Sequence, residues 1–452
     1  MIVYKFGGTS IADAEQIRHA AVLVRDCEGP RVVVVSALAE VTNRLVELAF
    51  EAVMGNRPGV EQLLEAVRVR HEEVASVLLR GLADRDRLVE RVATLLAGLA
   101  EAAEQGLAAS DPESVLRLTD ELSAAGEDLS AEMMAAALIQ EGLSAQVVDA
   151  RSMVRTDHRF GGAVPQDEET ARLVRQVLEP LLEQGRVPVL QGFVGATAEG
   201  VTTTLGRGGS DFTAAIVGAA LGADNVCIWT DVDGVLSAEP GHVEHAKVLP
   251  ELGYEEAVEL AYFGARVIHP AAAKHAAAGD VSLRVRNTHR AEHPGTLIRH
   301  DTRRAAAVAA VAYKPAVTLI KVRSRPMFMA YGFLARVFDV LARHRLPVDL
   351  VATSHTSTAF TLDGDEGLAA ARDELSRFAE VEVAPHLATV SIVGHGLLQE
   401  PGITARVFSA LGGTSVLLIS QASDVSLSFL VEALEAPDVV RRLHAELIES
   451  RT

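Results

Sequence analysis

Cysteine is almost missing. Cys27 and Cys227 are the only two in 452 residues, which excludes a disulfide framework and a cysteine-rich zinc site and suits a reducing compartment. Aromatic residues are also scarce, at 4% against 49% hydrophobic residues, so the interior must be built mainly from Ala, Val and Leu. That suits helices packed on sheets, an α/β architecture. Positive charge is short as well: 42 Lys and Arg face 61 Asp and Glu, a formal net charge of −19. Such a chain repels nucleic acid and anionic membranes, so local basic residues are expected to serve small anions. No apolar run reaches the ~18 residues of a membrane span, and the first residues carry no signal-peptide pattern. The expected compartment is the cytoplasm, and the length predicts roughly three domains.

What is present centres on Thr202 to Asp233, which reads as turn, glycine loop, helix and strand. Gly206, Gly208 and Gly209 let the backbone approach a ligand, Arg207 offers a planar fork for a carboxylate or phosphate, and Ser210 is placed to cap a helix starting at Asp211. Helix starts of this kind bind anions, although the same residues also suit a plain tight turn. A second strand, glycine turn and helix unit opens the chain: Met1 to Phe6 places Lys5 just before Gly7 and Gly8, and a helix is predicted from about Asp13 to Asp26. The lysine precedes the glycines, so this is neither a Walker loop nor a dinucleotide fingerprint. It makes a compact positive site suited to a phosphoryl group, or else a surface lysine near a turn.

The run Val32 to Val35 predicts a strand buried on both faces in a parallel sheet, with Ser36 and Thr42 beyond its carboxyl end, as ligand contacts or as helix caps. Val60 to Glu141 is helical in pattern, and Gly126-Glu127 is expected to interrupt one of its helices. Further strands are predicted at 145–148 and 187–190, a helix at 168–182, and a hairpin through 191–195 and 201–204. Thr230 and Asp231 end the strand from Asn225, where acidic residues suit magnesium or ribose as well as an ordinary turn. His269 reads as a structural histidine near a helix break. After a boundary near 299–304, Gly332-x-x-Ala335-Arg336-Val337-Phe338 recurs as Gly402-x-x-Ala405-Arg406-Val407-Phe408. Each copy follows one strand (317–322 and 388–393) and precedes two more (348–353 with 358–362, 415–419 with 426–431). This predicts paired ferredoxin-like modules.

The blocks Lys5-Phe6-Gly7-Gly8-Thr9-Ser10, Val41-Thr42-Asn43, Leu118 to Leu122 with Gly126-Glu127, Thr204 to Asp211, Trp229 to Val235 and Ala261 to Ala265 together resemble aspartate kinases. These are amino-acid-kinase-fold enzymes with two C-terminal ACT domains, and the likeness covers essentially the whole chain. It implies an open, mostly parallel sheet flanked by helices over residues 1–300, then ACT modules at 305–385 and 386–452, either separate or interleaved. The implied reaction is phosphorylation of aspartate by ATP and magnesium, with no protein-held metal. Lys5, Arg207 and Asp211 would carry it. Ser36, Thr42, Glu127, Arg207, Gly208 and Ser210 would bind aspartate. Lys5, Gly7, Gly8, Thr230, Asp231, Leu236, Gly241 and Arg266 would bind the nucleotide.

The sequence departs from the family pattern at Glu40, where Gly is usual, and at Leu236, Gly241 and Arg266, which replace Tyr, Arg and Lys. These changes predict altered ATP affinity, and Glu40 would repel a substrate carboxylate unless it turns to solvent. The ACT pair resembles lysine-sensitive forms, with Met327, Gly332, Leu334, Val348, Asp349 and Ser354 implied as effector contacts and Asp349 able to pair with an ammonium group. His355 stands where the family has Glu, so threonine stays open beside lysine. Rival readings are a kinase for another small carboxylate and a regulatory protein without kinase activity. At least a homodimer through the C-terminal half is expected.

Overall fold

The computed structural model describes residues 1–107, 111–264, 268–300, 307–323, 331–365 and 367–451. Arg266 and Met327 lie outside them. The chain forms two compact units. The first holds residues 1–235, 250–254 and 267–302, and the second holds 236–249, 255–266 and 303–452. Segments 236–249 and 255–266, placed within the 1–300 domain by the sequence reading, therefore pack with the C-terminal half.

In the first unit the strands are β1 (Ile2–Phe6), β2 (Arg31–Val35), β3 (Ala145–Val148), β4 (Val187–Gln191), β5 (Val194–Ala196), β6 (Thr202–Thr204), β7 (Asn225–Thr230), β8 (Glu251–Gly253), β9 (Ser282–Asn287) and β10 (Thr296–Arg299). Its helices are α1 (Ala14–Arg25), α2 (Val41–Val53), α3 (Arg57–Leu78), α4 (Leu82–Gly106), α5 (Pro112–Gln140), α6 (Asp167–Glu183), α7 (Gly209–Leu221) and α9 (Pro270–Ala278), while α8 (Tyr254–Tyr262), between α7 and α9 in the chain, belongs from residue 255 onward to the second unit. Eight strands make one sheet in the order β3-β4-β2-β1-β7-β9-β10-β8, and β5 and β6 form a separate hairpin. Pairing is parallel from β3 through β9, and only β9 and β10 run antiparallel.

Local sequence explains these elements. Val32 to Val35 are all fully buried, as a strand covered on both faces requires. Asp13 caps α1 by accepting the Gln16 N–H, and Gln16 reaches back to the Ala12 N–H. Helix α5 runs unbroken through Gly126-Glu127, which corrects the expected interruption. Gly126 is there because α5 packs closely on the loop after β2: a Cβ at this position would come within 2.7 Å of the Ala37 Cβ. From β1 the chain moves outward to β2 on one side and later returns to β7 on the other. The carboxyl end of β1 is thus a topological switch point, where open α/β sheets take ligands.

The second unit adds β11 (Ala310–Arg323), α10 (Phe333–Arg343), β12 (Val348–Thr353), β13 (Ser357–Asp363), α11 (Leu368–Leu375), β14 (Glu380–Val393), α12 (Ile403–Leu411), β15 (Leu418–Ser423), β16 (Ser426–Glu432) and α13 (Ala436–Leu447). They form a sheet in the order β12-β13-β11-β14-β16-β15. The strand expected at 415–419 lies at 418–423, because Leu418 and Ile419 pair with Leu430 and Phe429. Two cores share the long strands. Ile320, Val322 and Val383 pack with α10 and α11, whereas Val311, Val390 and Ile392 pack with α12 and α13. The second core thus takes the first half of β11, residues expected to belong to the first module. Ala238 and Val243 join that core, and Ser237 anchors their segment: its hydroxyl meets His444 at 2.9 Å, and His444 meets Glu449 at 2.9 Å. The order imitates a hydrolase relay, but Ser237 and His444 are fully buried, so it fastens the segment to α13.

Among the described residues no helix is long and apolar enough to cross a membrane.

Candidate active site

Alternation along β1 sends Tyr4 and Phe6 to one face of the sheet and Lys5 to the other. There Lys5 Nζ lies 2.8 Å from Asp211 Oδ1, with both side chains 12% exposed. Asp211 belongs to the first turn of α7, so this ion pair ties the opening glycine turn to the glycine loop at 206–209. The turn itself is tight. Gly7 donates its N–H to the Trp229 carbonyl at 3.1 Å, and a Cβ on Gly8 would come within 2.8 Å of the Ala37 carbonyl oxygen. The turn after β1, the loop after β2 and the end of β7 are thereby brought together beside Lys5.

Helix α7 begins differently from the sequence expectation. Its N-cap is Gly208 in the left-handed region at φ 68°, no side chain caps it, and Ser210 lies inside the first turn. The cap assigned to Ser210 is therefore corrected. Gly208 is required for φ and for space, since His269 packs directly against it. An uncapped helix start leaves its N–H groups and its positive end available to an anion. His269 caps α9 through Nδ1, and burial lowers its pKa while Asp211 pulls it back up. Arg207, just ahead of α7, is exposed and has no ion-pair partner among the described residues.

Glu127 faces this region from α5. It is fully enclosed, and its Oε2 has no hydrogen-bond partner among the described residues. Burial pushes its carboxyl up to about 8, against the opposing pull of the Ala37 N–H and Lys5. Only resemblance singled out this glutamate beforehand, yet a signal was present. Asp120, Ser123, Glu127 and Ser130 follow helical spacing and are all at most 3% exposed, a polar stripe on a buried helix. Asp120 is the residue missed. It accepts the N–H groups of Gly161 and Thr204 at 3.0 Å and the Thr204 hydroxyl at 2.6 Å, fixing the strand that feeds the glycine loop.

Ser36 and Thr42 are both half-buried, and neither caps α2, whose N-cap is Glu40. Glu40 adopts φ 68°, and its side chain is 79% exposed beside Arg44. The carboxylate thus turns to solvent. Thr230 ends β7 and Asp231 follows it, and the Asp231 carboxylate accepts the Thr230 hydroxyl at 3.1 Å. Asp233 is committed elsewhere, to Asn287 at 2.8 Å and to Arg290. Leu236 and Gly241 belong to the second unit.

The implied effector residues lie in that unit too. Gly332 is the left-handed N-cap of α10, Leu334 is 37% exposed, Val348 and Asp349 open β12, and Ser354 closes a turn onto Ser357.

Residues 1–287 match the amino acid kinase family, and residues 390–447 match the ACT domain. The chain is 38% identical over 459 residues to the lysine-sensitive aspartokinase 3 of Escherichia coli K12, covering 99% of both chains. It is 33% identical to chloroplastic aspartokinase 1 of Arabidopsis thaliana, over 99% of this chain and 80% of that one. Among solved structures, E. coli aspartokinase III in complex with aspartate and ADP in the R-state aligns with a TM-score of 0.88, 37% identity and 99% coverage of each chain. The same enzyme with lysine and aspartate in the T-state aligns with a TM-score of 0.81, again over 99% of each chain.

Proposed function

The chain belongs to the aspartokinases of the amino acid kinase family, and from that membership we propose how its side chains divide the reaction. The enzyme phosphorylates the side-chain carboxylate of L-aspartate from ATP, giving 4-phospho-L-aspartate under control by an amino acid. The acceptor carboxylate is ionised near neutrality, so no general base is needed. A carboxylate oxygen attacks the γ-phosphorus, the bond to the β,γ-bridging oxygen breaks, and ADP leaves. What the protein supplies is alignment and stabilisation of spread negative charge.

Lys5 meets the transferring group, oriented by Asp211 and flanked by Gly7 and Gly8. The start of α7 adds its uncapped N–H groups. Arg207 holds the α-carboxylate of aspartate with its free fork, and Glu127 receives the ammonium group, with Ser36, Thr42, Gly208 and Ser210 lining the pocket. Thr230 and Asp231 flank the nucleotide. Asp231, whose carboxylate meets a neighbouring hydroxyl, is available to the magnesium that arrives on ATP. The assignment of Leu236, Gly241 and Arg266 to the nucleotide rests on the resemblance alone. Lysine is the proposed effector, with Asp349 receiving an ammonium group, and the C-terminal modules are the proposed dimer contact.

The observation that supports this reading most directly is the 2.8 Å pair between Lys5 and Asp211, which brings the two glycine turns to one point. Incubation with ATP and a panel of acids, trapping acyl phosphate with hydroxylamine, tests it. L-Aspartate should give the hydroxamate, and glutamate outperforming aspartate would overturn the assignment.

A further inference from the structure

The second unit contains a seat for a primary ammonium group, and one of the chain's own lysines occupies it. Lys314 lies on β11 next to Pro315 and Ala316, where φ of Ala316 reaches 60° and the ladder with β14 changes register. The bulge aims Lys314 Nζ at two carboxylates, 2.7 Å from Asp349 Oδ2 and 2.7 Å from Asp363 Oδ2. Nζ also lies 4.5 Å from the centre of the Tyr262 ring, and the Tyr262 hydroxyl donates to Asp349. Two carboxylates and an aromatic face recognise any protonated amine, whether it belongs to the protein or to a ligand. Lys314 and Asp349 are nearly enclosed, with side chains 16% and 5% exposed, while Asp363 opens to solvent at 47%.

We propose that Lys314 is an internal occupant of the effector's ammonium site, so that an effector bearing a side-chain ammonium binds by displacing Lys314 Nζ from Asp349. The inference rests on the assignment of Asp349 to the effector. Displacement exchanges one ammonium for another. The affinity is then set by a difference between two similar contacts, and the intrinsic binding strength is reduced by the fraction of molecules in which the seat is taken. It also reaches α8. Tyr262 loses its cation, and Gly264 lies against the residue before Lys314 so closely that a Cβ there would come within 2.2 Å of the Tyr313 carbonyl oxygen. A shift of residues 313–314 cannot leave the end of that segment in place.

The test uses the full-length enzyme with lysine as the probe. Lys314→Met keeps the stem and removes the charge, leaving two carboxylates without their cation. The lysine Kd and inhibition midpoint should tighten about fivefold to tenfold, with kcat and the aspartate KM in the absence of lysine unchanged. Lys314→Arg should restore weak binding. A measurement on the wild-type enzyme stands independently of the variants: acetylation of Lys314, followed by mass spectrometry, should accelerate severalfold when lysine saturates. If lysine binds the wild type and Lys314→Met equally, or protects Lys314 from acetylation, the internal-occupant inference falls and the effector assignment survives. If only Lys314→Met binds lysine, the seat is upheld and the effector assignment falls for the wild type. If neither binds lysine, both are overturned.

Discussion

The molecule uses a lysine and an aspartate at almost the same distance in two places, with opposite results. Lys5 and Asp211 stand 2.8 Å apart, and Lys314 and Asp349 stand 2.7 Å apart, all four side chains largely buried. Around Lys5 there are glycine turns and an uncapped helix start, with Arg207 just ahead of that helix in the chain, so the neighbourhood attracts anions. Around Lys314 there is a second carboxylate and a tyrosine ring, so one cation faces two anions and the neighbourhood attracts cations. Backbone support differs as well. Lys5 is on a strand paired on both sides in a parallel sheet, whereas Lys314 is at a register shift beside a left-handed alanine. Rigid support suits a group that must hold a transition state, and a bulge suits one that must yield.

The sharpest way to break this contrast is to remove each lysine. Lys5→Met should lower kcat about 10³-fold, the scale of losing a preorganised charge at a reacting centre. Lys314→Met should leave kcat unchanged. Steady-state kinetics on the two variants side by side decide the matter, and a Lys5→Met enzyme within tenfold of wild type would end the catalytic assignment.

A smaller effect should come from Glu127. With its carboxyl pushed to about 8 it is protonated at neutrality in the free enzyme, yet an ammonium group requires the carboxylate. Aspartate binding should therefore release close to one proton per site near pH 6 and progressively less above pH 8, and the aspartate KM should fall as pH rises towards that value. Glu127→Gln should raise KM roughly 30-fold to 100-fold and abolish both dependences. Calorimetry in buffers of different ionisation heat reads the proton. The same shift has a stability counterpart. Because the folded value is raised above the ordinary 4.5, the contribution of Glu127 is greatest below about 4.5 and is lost as pH rises through about 8. Chemical denaturation of the ligand-free enzyme should show that decline, and the glutamine variant should flatten it.

Asp120 sharpens the comparison further, because the Lys5–Asp211 pair has buried scaffolding behind it. Asp120→Ala would leave the N–H groups of Gly161 and Thr204 without their acceptor and should cost about 2–4 kcal/mol of stability. Thermal unfolding measures this loss, and a shift near zero would show that the glycine loop is held by other contacts.

How much of this was legible beforehand followed the kind of signal. Runs of one character were readable: Val32 to Val35 as a doubly buried strand, Asp13 to Asp26 as a helix, and the repeated Gly-x-x-Ala-Arg-Val-Phe as paired modules. Effects set by distant packing were not. Gly126 looked like a helix break because glycine is a poor helix former, but its missing side chain is what lets α5 approach Ala37. Ser210 looked like a cap because its hydroxyl precedes an acidic helix start, yet the left-handed turn at Gly208 starts the helix two residues earlier than Asp211. Lys314 carried no local mark at all, since its two carboxylates come from β12 and β13 and its ring from α8.

Glu40 closes the contrast from the side of the backbone. Glu40 sits in the left-handed region at φ 68°, at a position where the family resemblance implies glycine. A side chain there costs about 1 kcal/mol, and its pairing with Arg44, 3.9 Å away and exposed, returns little of it. Glu40→Gly should therefore stabilise the protein by about 0.5–1 kcal/mol, less whatever the freer glycine adds to the unfolded chain. The carboxylate faces solvent, so the aspartate KM should change less than about twofold. Urea unfolding and initial rates on this single variant separate the two effects. A gain in stability with unchanged KM means that Glu40 costs the turn and spares the substrate. A large fall in KM would mean that the carboxylate reaches the pocket after all.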